Sequence, residues 1–271
     1  MYGLIDHAGL PGLGARLIES GSEWLSLFDS EDPDILAVAP LLFRIGTGQD
    51  GVRQRRMVRW LVQQGTYASS IVLMASPLAL EPLAHRLRTR LDAVLPDNLD
   101  ILLRFYDPRI LEQLMLVLPD EQKQCFLSVA ERWWFVDRRG QLKEVAATFC
   151  ATDHLTAPLA LDTVLESALI DASEPDQVAQ LLQSGAPFDY ETLPPGERHD
   201  FILRHVAAAR RIGIEVTHER ALYCALALLH GEHFAVGENW RAALQDVVQK
   251  KVSLTQAATQ MELNDSLTEQ T

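Results

Sequence analysis

Cysteine is scarce: Cys125, Cys150 and Cys224 are the only three, far apart, with no CxxC pair among them. Such a set excludes a disulfide framework and offers no cysteine zinc site, so three reduced, buried thiols are expected. Glycine and proline are few as well, 15 and 13 in 271 residues, which excludes a fibrous or low-complexity chain. Long apolar runs are missing. The longest, Ile35 to Phe43 and Ala221 to Leu229, fall short of the roughly 20 residues a membrane-spanning helix needs. The opening Met1-Tyr2-Gly3-Leu4-Ile5-Asp6 lacks the basic start of a secretory leader. A cytoplasmic protein without membrane insertion is the expectation.

Positive charge is also in deficit: 24 Lys+Arg stand against 37 Asp+Glu, a formal net charge of -13. That balance argues against a general nucleic-acid binder. The deficit is uneven, since residues 1–139 hold 15 basic and 18 acidic side chains, whereas residues 140–271 hold 9 and 19. An acidic second half gives solubility, and it can also steer a basic partner.

What is present is a globular composition, 48% hydrophobic and 23% charged. A chain of this length buries about three quarters of its unfolded surface and forms one large domain or two lobes. Up to residue 137, short apolar or alternating runs suggest strands at Gly3–Asp6, Trp24–Phe28, Leu41–Ile45, Ser70–Ala75, Asp92–Leu95 and Ile101–Phe105. Helical patterns separate them over Pro11 to Ser20, Val52 to Gln64, Pro77 to Leu91 with Ser76 as cap, and Asp107-Pro108 to Leu118. From about residue 140 the strand signals stop. Helices are predicted at Pro158–Asp171, Glu174–Gln183, Glu197–Ile212, His218–Leu229 and Trp240–Lys250, with Ser173 and Asp176 spaced like a capping box. Thr217 is placed to cap the fourth of these, Ser184 to Gly196 reads as the longest loop, and residues 262–271 as a flexible tail. The expected class is α+β: a mixed α/β lobe over residues 1–137 with a small sheet and covering helices, then an all-α lobe over 138–261.

Four constellations bear on chemistry. Gly46-Thr47-Gly48-Gln49-Asp50-Gly51 is a formal GxGxxG between a strand and a helix, but no ribose-binding carboxylate follows at the required distance, and Asp50 would repel a pyrophosphate. Arg53, Arg55, Arg56 and Arg59 crowd one helix and Arg86, Arg88 and Arg90 another; both groups are expected to be solvated faces pairing with local carboxylates. His230-Gly231-Glu232-His233 has neither HExxH spacing nor an i,i+4 histidine pair. Trp133-Trp134-Phe135 reads as core or interdomain packing rather than a stacking platform. No GxSxG motif is present and no nucleophile stands out.

Tyr2-Gly3-Leu4-Ile5-Asp6, Trp24-Leu25-Ser26-Leu27-Phe28, the run ending Ala75-Ser76-Pro77 and, above all, Leu103-Arg104-Phe105-Tyr106-Asp107-Pro108-Arg109-Ile110-Leu111 carry a resemblance. Over roughly residues 1–135 the chain resembles the adaptor chaperones of bacterial type VI secretion, long catalogued only as a domain of unknown function. The second half is similar, more weakly, to the variable helical lobe of that family. The resemblance implies an α/β lobe followed by a helical lobe, no catalysis and no cofactor. Its implied partners are a toxic effector in the producing cell and the spike protein onto which that effector is loaded.

In physical terms Asp107 is expected to cap a helix that Pro108 starts, with Arg109 bonding a neighbouring carboxylate. Tyr106 and Arg109, and in the helical lobe the exposed Phe188 and Tyr190, are the candidate partner-binding residues. Two other readings share the sequence: a nucleotide-binding enzyme using the Gly46–Gly51 loop, and an immunity protein that neutralises a toxin.

Overall fold

The computed structural model describes residues 1–46 and 51–268. It divides into two compact units, Met1–Ala172 and Ser173–Thr271.

The first unit runs β1 (Tyr2–Asp6), α1 (Leu13–Ser20), β2 (Trp24–Ser26), α2 (Pro33–Ala37), β3 (Pro40–Arg44), α3 (Gly51–Gly65), β4 (Ile71–Ala75), α4 (Leu80–Arg88), β5 (Asp92–Val94), β6 (Asp100–Leu102), α5 (Pro108–Val117), α6 (Asp120–Leu127), β7 (Arg132–Val136), β8 (Leu142–Ala146) and β9 (Leu159–Ala160). Six strands form one antiparallel sheet in the order β2-β3-β1-β4-β7-β8, and β6-β5-β9 form a smaller one. Helix outweighs strand, 53% to 14%, and the main sheet is antiparallel, so the class is α+β.

Every residue of β1 is buried, because helices cover both faces of the sheet. Ile5, Leu41, Phe43 and Ile71 pack on one side with Leu13 and Leu17 of α1 and Met57 and Leu61 of α3. Tyr2, Leu4, Leu42, Val72 and Met74 face the other side, against Leu83 and Leu87 of α4, Leu111 and Leu114 of α5, and Phe126 of α6. The period-2 alternation of strand side chains thus builds two cores on one sheet. Gly3 lies directly across from Phe43, and a Cβ at Gly3 would stand 2.6 Å from the Phe43 Cζ, so only glycine lets the ring lie flat over the strand.

The sheet reaches further along the chain than the sequence suggests. β7 is the Trp133-Trp134-Phe135 segment: Trp133 is fully buried, donates its indole N–H to the Leu127 carbonyl at 3.0 Å and packs edge-on against Phe105. A turn with Gly140 at φ +75 returns the chain into β8, and β9 pairs in parallel with β5. Both strands lie beyond residue 137, where an all-α lobe was expected. β8 alternates between exposed and half-buried residues, and β9 is two residues long, so neither leaves a strong apolar signature.

α7 (Thr163–Gly185) is continuous through Pro175, where two helices were expected. Pro175 lacks the N–H that would pair with the Asp171 carbonyl, and the helix absorbs that loss. Ser173 is therefore inside a helix rather than at a cap, its hydroxyl accepting from the Gln177 side chain at 2.9 Å. The cap expected at Ser76 also moves. α4 begins after Ala79, and Ser76 instead donates to the Val129 carbonyl at 2.6 Å while accepting from the Leu78 N–H.

The second unit continues with α8 (Pro187–Thr192), α9 (Pro195–Arg211), α10 (Thr217–His230), a 3-10 turn (Phe234–Val236), α11 (Glu238–Val248) and α12 (Leu254–Thr268). Its core joins Phe201, Ile202 and Val206 of α9 to Tyr223, Cys224 and Ala227 of α10, and to Phe234, Trp240, Leu244 and Leu254. The stretch read as a long loop, Ser184 to Gly196, holds α8, which Pro187 starts. No helix among the described residues is long and apolar enough to cross a membrane.

Candidate partner-binding surfaces

The Arg104-to-Ile110 segment is built as the residues dictate. Asp107, 3% exposed, accepts the Arg109 N–H at 2.9 Å and caps α5, with Pro108 at its first turn. The Arg109 guanidinium folds back onto the same carboxylate, with Nε 2.9 Å from Oδ1 and Nη2 2.6 Å from Oδ2. This two-pronged geometry makes a strong charge-assisted contact. Arg104 bonds the buried Asp6 at 3.0 Å and lies 5.7 Å from the centre of the Tyr106 ring. Burial opposes the Arg104 charge, but Tyr106, Asp6 and Asp107 outweigh it and raise its pKa.

Tyr106 corrects an expectation. Only 2% exposed, it packs edge-on against Phe28 and Phe105, and burial pushes its phenol up. Its place is the core rather than a partner-facing surface.

The Arg86-Arg88-Arg90 group is a second correction, because these arginines are internal staples rather than a solvated face. Arg90 is fully buried: Nε donates to the Phe126 carbonyl at 2.7 Å, and Nη1 and Nη2 reach the two Asp153 carboxylate oxygens at 2.8 and 3.0 Å. Burial alone would raise the Asp153 carboxyl, but the hydrogen bonds and charge of Arg90 outweigh it and hold the pKa below the ordinary value. Arg86 donates to the Cys150 and Ala151 carbonyls, and Arg88 to Ser26 at 2.9 Å.

The α3 arginines behave differently. Arg53, Arg55, Arg56 and Arg59 are all exposed, and among the described residues none meets a carboxylate. Among the described residues the expected pairing with local carboxylates is not found there. Residues 47–50 of the Gly46–Gly51 loop lie outside the described residues.

In the second unit Phe188 on α8 is 85% exposed, whereas Tyr190 two residues on is 7% exposed. Tyr190 is a core residue, with the Arg198 guanidinium 4.9 Å from its ring centre and burial pushing its phenol up. An i,i+2 pair on a helix faces opposite ways, so a single short helix displays one ring and buries the other. Glu174, 6% exposed, is gripped by Arg210 and Arg220, and Thr217 donates to it at 3.4 Å instead of capping α10. The buried Cys224 thiol beside this carboxylate is pushed up to about 12, first by burial and then by the Glu174 charge, which makes it inert.

The His230–His233 cluster does not converge. Gly231, at φ +91, ends α10; Glu232 turns to Arg204 at 3.1 Å, and His230 stacks near Trp240. Among the described residues no group of three or more His, Cys, Asp or Glu side chains could hold a metal ion.

Residues 1–125 match the family model described as a domain of unknown function (DUF4123). The match covers the main sheet through β4, both helical layers and the whole Arg104–Arg109 segment. No curated protein and no solved structure matches the chain.

Proposed function

We propose that the chain is an effector adaptor of a bacterial type VI secretion machine, binding one toxic effector in the cytoplasm of the producing cell and helping to load it onto the spike protein. The observation that carries this reading is the match of residues 1–125 to a family known as a type VI secretion effector adaptor domain. The Arg104-to-Arg109 segment lies inside the matched region, with Asp107, Pro108 and Arg109 holding the strand-to-helix turn.

The effector contact is assigned to the helical unit, where α8 presents Phe188 to solvent. An exposed phenylalanine is a large apolar anchor that a partner's pocket can desolvate, within a polar rim supplied by neighbours such as Asp189 and Glu191. The adaptor acts by binding alone, with no bond made or broken.

The test is co-purification of the tagged full chain from a secretion-competent strain, followed by reconstitution with the purified candidate toxin. A stoichiometric complex between the two purified proteins supports the reading. Failure of the purified toxin to bind, with both proteins folded, contradicts it.

A further inference from the structure

The outer face of α3 gathers four exposed arginines, Arg53, Arg55, Arg56 and Arg59. Its buried side is Met57 and Leu61, packed on the sheet. One hundred degrees per residue then places Val52, Arg55, Arg59 and Val62 in a single outward row at spacings of three, four and three, with Arg56 beside it. Val52 is 57% exposed and Val62 60%, an aliphatic side chain at each end of an arginine centre. α3 contains no acidic residue. The guanidinium groups of Arg53, Arg55, Arg56 and Arg59 meet no carboxylate among the described residues.

These features set α3 apart from the rest of a chain whose formal charge is -13. The arginines near α4 are consumed by carbonyls and Asp153, and Arg210 and Arg220 by Glu174. On α3 four stand side by side without an ion pair among the described residues, where their mutual repulsion costs stability that an anionic partner would recover.

The spacing of the row is that of a helix–helix seam, in which positions three and four apart meet a partner helix. We propose that the α3 face docks an acidic amphipathic helix of a partner protein, its carboxylates pairing with Arg55, Arg56 and Arg59 and its aliphatic side chains covering Val52 and Val62. The valines that bound the arginine centre at both ends favour a peptide over a nucleic acid, whose binding rests on a positively charged groove with stacking aromatic side chains. The proposal goes beyond the adaptor reading and does not depend on it.

The test is fluorescence anisotropy of the full chain with a labelled synthetic helix carrying Leu at seam positions and Glu beside them. Saturable binding is expected, weakening at least about tenfold in R55E/R59E, in line with charge pairs at an interface. R55K/R59K should retain most of it, and V52S/V62S should lose severalfold, as apolar contacts do. All these positions are exposed, so an unchanged Tm shows that the variants fold.

Absence of saturable binding overturns the proposal, as does R55E/R59E binding within about twofold of the parent chain. So does equal binding of an all-Glu peptide, or tighter binding of a labelled oligonucleotide. Self-association of the parent chain that R55E/R59E abolishes would assign the face to a second copy and overturn it too.

Discussion

Arg90 and Asp153 meet in a two-pronged ion pair, Nη1 to Oδ2 at 2.8 Å and Nη2 to Oδ1 at 3.0 Å, with the Arg90 side chain wholly out of solvent. The same guanidinium bonds the Phe126, Cys125 and Arg86 carbonyls, so one cation ties the ends of α4 and α6 to the loop at residue 153. Removing one partner of a buried pair strands the other charge.

Arg90→Ala is therefore expected to destabilise the first unit by about 3–5 kcal/mol, read as a fall in the denaturant midpoint. Arg86→Ala, on a partly exposed side chain, should cost much less. Equal losses would show that burial of the Arg90 charge is not what matters.

Asp153 also sets part of the acid limb of stability. Its folded pKa is depressed, so its contribution is fully present above the unfolded value of 3.8 and is lost as pH falls through the lower folded value. Asp153→Asn should flatten the stability profile in that window, and an unchanged profile in a pH series of denaturant melts would refute the pairing.

His205 titrates with the opposite chemistry. Enclosed by Phe201 and Tyr223, with Nε2 3.8 Å from Glu232 Oε2, it is kept from protonating chiefly by burial, which with smaller help from Arg204 and His233 outweighs the Glu232 charge. Its folded pKa lies below 6.5, so the unfolded chain takes up the proton first. Stability of the second unit should fall as pH drops from 6.5 to that folded value, and His205→Phe should remove the step. A melt series showing the same step in the variant would contradict this assignment.

Asp107→Ala removes a helix cap together with its two-pronged contact to Arg109, and should cost about 1–2 kcal/mol. Arg109→Ala leaves the cap in place and should cost less. Should Arg109→Ala weaken effector binding with no loss of stability, Arg109 would be an anchor for the partner rather than a brace for the turn.

Gly3→Ala drives a methyl group into the Phe43 ring and should destabilise by about 1–3 kcal/mol, with thermal melting as the readout. Melting at the parent temperature would mean that the ring moves aside without strain.

Local signals were legible where one residue decides the structure. Asp107 with Pro108 announces a capped helix start, and the apolar runs of β1, β3 and β4 announce buried strands. Non-local roles were not. Arg90 looks in sequence like the exposed arginines of α3, because what buries it is the arrival of Asp153 and of the α6 carbonyls from far along the chain. Phe188 and Tyr190 look alike in sequence, yet opposite faces of α8 separate an exposed ring from a buried one. Pro175 reads as a break, and α7 tolerates it because only one helical hydrogen bond is lost.

The adaptor role is tested most directly by deleting the gene in a strain with an active type VI machine and comparing secreted proteins by quantitative mass spectrometry. The prediction is that one effector disappears from the secreted fraction while remaining encoded and the other effectors persist, and that Phe188→Asp, stable in a melt, reproduces that selective loss. Secretion of every effector at parental levels in the deletion strain would contradict the role.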